Sequence, residues 1–187
     1  MSFDAAQFPR HAIGSPDVVN AYNSLKRKAA IDDLCKLHPL AGTMGLALYT
    51  VVTVYVHDMR GMRPVKYPSA EGVIQGCGMA MHTYCNSQDE ATDWITQTLR
   101  AAGRGQVCTP EFKAEPPDDL KDFIREWLME NHIREPTAET SVVVQRHYAD
   151  NGAYGVVPEL MGTLPALAAK GLEVKGLRYK RSWEIWS

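Results

Sequence analysis

What this chain of 187 residues lacks narrows its chemistry first. Its four cysteines, Cys35, Cys77, Cys85 and Cys108, form no CxxC pair, and no Cys/His spacing matches a zinc module. No window approaches 18 uninterrupted apolar residues, so no membrane span is expected. The opening MSFDAAQFPRHAIGSPD carries Asp4 and has no apolar run after a basic start, which does not read as a signal peptide. These features lead to the expectation of a cytoplasmic protein with reduced thiols and no membrane partner. GxSxG, HExxH, Walker and dinucleotide-binding patterns do not occur, and neither a metal nor a cofactor is expected. Neighbouring acids at Asp32/Asp33, Asp89/Glu90 and Asp118/Asp119 read as helix-start or surface carboxylates. A net charge of −2 supplies no global field that would draw in nucleic acid or anionic lipid. The sequence holds no repeat and no low-complexity tract.

What is there suits one folded domain with a hydrophobic core. Residues 1–14 read as a flexible N-terminal arm and 15–187 as a single domain. From Ser15 the pattern predicts a helix to Leu37, with Ser15 as its cap, Pro16 in the first turn and Val18, Tyr22, Leu25 and Ala29 on one stripe. The run LALYTVVTVYVH, 46–57, is rich in β-branched and aromatic residues and predicts a long strand. A second strand is expected over 73–85. Ser87 and Glu90 form a capping box before a helix that Gly103 closes. DDLKDFIREWLMEN is the clearest amphipathic helix. Two β-rich runs flank Asn151-Gly152, a pair suited to a tight hairpin turn. Short helical turns follow, interrupted by Pro165, and the tail with Trp183 and Ile185 reads as strand. Strands that come in hairpin-like pairs predict an α+β fold, a mostly antiparallel sheet of about five to six strands with helices packed on one face.

The stretch GVIQGCGMAMHTYC, 72–85, holds two thiols and an imidazole. As a strand it would point Cys77 and Cys85 to one face, about 27 Å apart, and His82 to the other, which separates them chemically. The thiols then read as small buried apolar residues beside Met79 and Met81. The opposite face carries Gly76, Gly78 and Ala80, a bare strip that either packs a helix closely or holds a ligand, with His82 and Tyr84 at one end. Elsewhere, Arg60, Arg63 and Lys66 beside Tyr67 in the connection 58–72 could grip phosphate, an acidic partner or a stacked base. Lys26-Arg27-Lys28 reads as a solvated helix face. His57-Asp58 resembles part of a triad, but adjacent strand residues point apart. His147, near Arg146 and Asp150, lacks an identifiable nucleophile.

The leading expectation is therefore a non-enzymatic binding or assembly protein, acting through a protein partner or self-association. Its contacts would come from loop 58–72 or exposed strand edges, including the segment with Trp183 and Trp186. A small enzyme or ligand-binding domain using the glycine-lined face 74–84 is the second reading, and nucleic-acid binding through the basic loop is the third. The expected order of helix, strand pair, helix and strand resembles small phage tail-completion and terminator proteins over about half the chain. That likeness implies an accessory role in a phage or bacterium; it has no residue motif and implies no site residues.

Overall fold

The computed structural model describes residues 10–50, 53–56, 65–107, 118–131, 133–148, 151–178, 180 and 184–186. The chain divides into two compact units, one formed by residues 1–19 with 88–187 and the other by residues 20–87.

In the first unit, strand β1 (Ala12–Ser15) alternates buried and half-buried residues, as a strand with one covered face must. It lies between β5 (Asn151–Val156) and β6 (Glu184–Trp186), and β4 (Val144–Tyr148) completes the order β4-β5-β1-β6, with antiparallel pairing throughout. Ser15 does not cap a helix: it ends β1, and its hydroxyl donates to the Gly152 carbonyl at 2.9 Å. The expected hairpin is present, but Tyr148 pairs with Asn151 and His147 with Gly152, so Asn151-Gly152 belongs to the ladder and not to the turn.

Helix α4 (Ala80–Gly103) contributes Gln88 onward to this unit, α5 (Asp118–Asn131) forms where its amphipathic pattern predicts, and α6 (Pro158–Met161) and α7 (Leu164–Glu173) follow the sheet. Pro165 sits in the first turn of α7, where its missing N–H costs nothing; it starts that helix and does not interrupt one. Ile95, Leu99, Tyr154, Leu160, Leu167 and Leu172 are fully buried. A Cβ on Gly171 would stand 3.1 Å from the Trp94 ring, so glycine lets α7 lie close against α4. Inside this unit Lys175 and Glu90 form an ion pair at 2.7 Å, their side chains 4% and 15% exposed.

The second unit holds α1 (Ala21–Ser24), α2 (Arg27–Leu37), α3 (Pro39–Tyr49), the hairpin of β2 (Thr53–Val56) and β3 (Val65–Pro68), and the start of α4. Asn20, in the left-handed region that asparagine tolerates, turns the chain into α1. The predicted continuous helix 15–37 is thus a strand, a turn and two helices.

Five further expectations are corrected. The sheet of five to six strands does not form: β2 and β3 make a separate two-stranded ladder, and the other sheet is three antiparallel strands with the three-residue β6 beside β1. The segment 46–57 is not one strand. Pro39 opens a helix, Gly42, Gly45 and Tyr49 recur on its inner side, and extended backbone begins only at Thr53. The segment 73–85 is not a strand either. Gly72 and Gly76 have φ of +74° and +88°, which break any ladder, and the good helix formers Met79, Ala80 and Met81 lead into α4. That helix begins at Ala80, so the Ser87/Glu90 pair lies inside it and caps nothing. The element order behind the likeness to phage tail proteins is not the order observed.

Candidate functional site

The glycine-lined face does not survive these corrections as one surface. Gly76 and Gly78 lie in the loop before α4, and no described atom comes within 4 Å of a Cβ built on either. His82 is exposed in the first turn of α4. Tyr84 is fully buried, its ring 5.1 Å from that of Tyr22, and is a core residue of the second unit. The strand-rise separation of Cys77 from Cys85 no longer applies, since most of that span is helix at about 1.5 Å per residue. Among the described residues, no three His, Cys, Asp or Glu side chains group as a metal site.

Of the basic loop, Arg60 and Arg63 lie outside the described residues, as do His57 and Asp58. Lys66 and Tyr67 are paired in β3, where Tyr67 is exposed. Cys108, Asp150 and Trp183 also lie outside the described residues, and of Trp186 only its place in β6 is described.

Arg27, read from sequence as solvated, is 7% exposed and structural. Its guanidinium donates to the carbonyls of Gly72 at 2.6 Å, Ser69 at 2.5 Å and Glu71 at 2.7 Å, and to the Ser69 hydroxyl at 3.0 Å. Four bonds satisfy a buried cation and fix the loop that leads to Cys77. The same guanidinium stands 5.6 Å from the centre of the Tyr49 ring.

Two features of the second unit are unusual for a surface in water. The first is helix α3. Its inner side is glycine: a Cβ on Gly42 would meet the Cys35 sulfur at 2.5 Å, and one on Gly45 would meet Leu34 at 3.4 Å. α2 and α3 therefore pack backbone to backbone, and the large apolar residues of α3 face out. Leu40, Met44 and Leu48, spaced i, i+4, i+8, are 80%, 51% and 49% exposed, and the exposed Leu37 and Leu46 add to the apolar surface. From Pro39 to Val56 the sequence has no charged residue.

The second feature is the corner before α4. Cys77 is half-buried, and its thiol is held below the usual range by the Tyr49 hydroxyl and by the backbone N–H groups of Met79 and Ala80, with partial burial opposing them. Burial, and then the neighbouring thiol, pushes Tyr49 up to about 12. The Tyr49 hydroxyl is buried without a completed hydrogen bond.

In the first unit, His147 and Tyr154 meet edge to face at 5.4 Å. Burial pushes His147 down to about 4, with Asp93 opposing the shift, and burial then Asp93 raises Tyr154. Both His147 ring nitrogens and the Tyr154 hydroxyl are buried without a hydrogen-bond partner. The imidazole is neutral at pH 7 and packs as part of the sheet face.

The described fold and these surfaces define an α+β protein that carries an uncharged, outward-facing apolar helix. No protein-family model, no curated protein and no solved structure matches the chain. Among the described residues, no helix is long and apolar enough to cross a membrane.

The α3 stripe was missed because a strand reading of 46–57 cuts the helix in half. The signal was available: Pro39 at a helix start and glycines three apart at 42 and 45, followed by Tyr49.

Proposed function

We propose that this is a binding and assembly protein that associates with a second copy of itself through helix α3. The observation that carries the reading is the inverted packing of that helix, glycines inward and Leu40, Met44 and Leu48 outward. Exposing that stripe to water costs free energy that covering it would recover, at about 25 cal/mol per Å². A second copy is favoured over a charged partner because α3 offers no ion to pair, and a twofold meeting of two such helices brings no like charges together. The helix is about 16 Å long, which places the contact at the small end of specific interfaces, so association depends on protein concentration.

The test is molar mass by light scattering over a hundredfold range of concentration. The wild-type mass rises toward twice that of the chain, and Met44→Glu holds it at one chain while far-UV circular dichroism is unchanged. A wild-type protein that stays at one chain throughout overturns the reading.

A further inference from the structure

A small cavity lies within the second unit, between α2, α3 and the loop that follows β3. Its volume is about 220 Å³, and Arg27, Ile31, Leu46, Tyr49 and Thr50 line it, together with the exposed pair Lys28 and Asp32. Leu46 and Thr50 stand on a different flank of α3 from Leu40, Met44 and Leu48, so the cavity is separate from the stripe and does not depend on pairing through it.

Arg27 sets the chemistry of this cavity. Its side chain is buried, yet all four of its hydrogen bonds run to neutral acceptors, the carbonyls of Gly72, Ser69 and Glu71 and the Ser69 hydroxyl. Among the described residues no carboxylate pairs with it: Glu71 offers its backbone carbonyl, and Asp32 is bound to Lys28 at 2.7 Å. Carbonyl dipoles satisfy N–H groups but carry no net charge, so the guanidinium is a buried cation without a counter-ion, whereas buried charges are ordinarily paired. A guanidinium has five N–H groups, and the four bonds leave one on Nη1 for a further acceptor. Ile31, Leu46 and the Tyr49 ring, its centre 5.6 Å from the guanidinium carbon, supply apolar lining beside that charge. An apolar cavity of about 150 Å³ takes benzene. At about 220 Å³ this one holds such a ring with a carboxylate attached.

We propose that the cavity binds a small organic carboxylate of about the size of benzoate. The carboxylate meets Arg27, which recognises that group by charge and by its planar fork of donors. The apolar body lies against Ile31, Leu46 and Tyr49. The pairing of Lys28 with Asp32 leaves the exposed side of the cavity neutral, so the choice of an anion over a neutral molecule falls to Arg27.

The test titrates the isotope-labelled full chain with benzoate, benzamide or inorganic phosphate at equal ionic strength and reads the resonances by NMR. Benzoate shifts the amides of Thr50 and Ala70 and the Arg27 Nε–H in a saturable way. Benzamide, the same ring without the charge, binds several-fold more weakly, and so does phosphate, a charge without the ring. Arg27→Met abolishes the benzoate shifts. The proposal is overturned if benzoate gives no saturable shift at these positions, if benzamide or phosphate binds as tightly as benzoate, or if a folded Arg27→Met chain still binds it. If Arg27→Met fails to fold by circular dichroism, the comparison of the three probes on the wild-type chain decides the matter.

Discussion

Helix α3, PLAGTMGLALY, and helix α7, LPALAAKGLE, are both short, both carry a proline in the first turn, and both consist largely of Leu, Ala and Gly. They dispose of these residues in opposite ways. In α7 the leucines Leu164, Leu167 and Leu172 are fully buried, Gly171 lets the helix approach Trp94, and the single cation Lys170 lies outward over the Phe123 ring. In α3 only the glycines and Tyr49 are buried, and the leucines are left in water. The helix without a charged residue, α3, is the one that leaves its leucines exposed, whereas α7, with Lys170 and Glu173, buries them. The difference is which residues the neighbouring backbone permits on the inner side, because α2 comes so close to α3 that no Cβ fits at Gly42.

That contrast can be broken or sharpened by measurement, beginning where the largest change is expected. The first unit keeps an ion pair inside, between Lys175 and Glu90. Lys175→Met removes the cation 2.7 Å from a mostly buried carboxylate and lowers unfolding free energy by about 3–5 kcal/mol in urea titration. A loss below about 1 kcal/mol would mean that Glu90 reaches water in solution.

Next comes the direct comparison of leucines. Leu167→Ala empties a fully buried site and costs about 2–5 kcal/mol, whereas Leu40→Ala, on a side chain 80% exposed, changes monomer stability by less than about 0.5 kcal/mol. Measured at low concentration, equal losses at the two positions would show that α3 buries its stripe within its own chain.

A smaller effect concerns His147, again in the first unit. Its folded pKa of about 4 lies below the ordinary histidine value of 6.5, so the unfolded chain binds the proton first. The stability this neutral ring allows is fully present above pH 6.5 and is lost as pH falls toward about 4. With allowance for the partly exposed ring, the loss is about 2 kcal/mol. His147→Phe flattens this part of the stability profile between pH 6.5 and 4, and an unchanged slope would assign the acid sensitivity to other groups.

Much of the first unit was legible from local pattern. The amphipathic run 118–131, the paired β-rich segments around residue 150 and the closing Gly103 each carry their signal within a few residues. The candidate sites were less so. His82 and Tyr84 were grouped by an alternation that assumes a strand, and a helix places one in solvent and the other in the core. The segment 72–85 misled because its glycines were read as a strip on a sheet, when their positive φ ends extended structure before the helix begins. Arg27 stands in a run of three cations that looks solvated, and only the carbonyls of residues 69, 71 and 72, more than forty positions away, make it a buried anchor.

The sequence by itself determined that this is an α+β chain able to bury a core, and where several of its helices lie, because helix formers, prolines and glycines act on the backbone within one or two turns. It also set the uncharged stretch from residue 39 to 56. Only tertiary structure decided that the leucines of α3 face out and that Arg27 is buried. Both depend on how near one backbone lies to another, a distance fixed by residues far apart in the chain and carried by no local pattern.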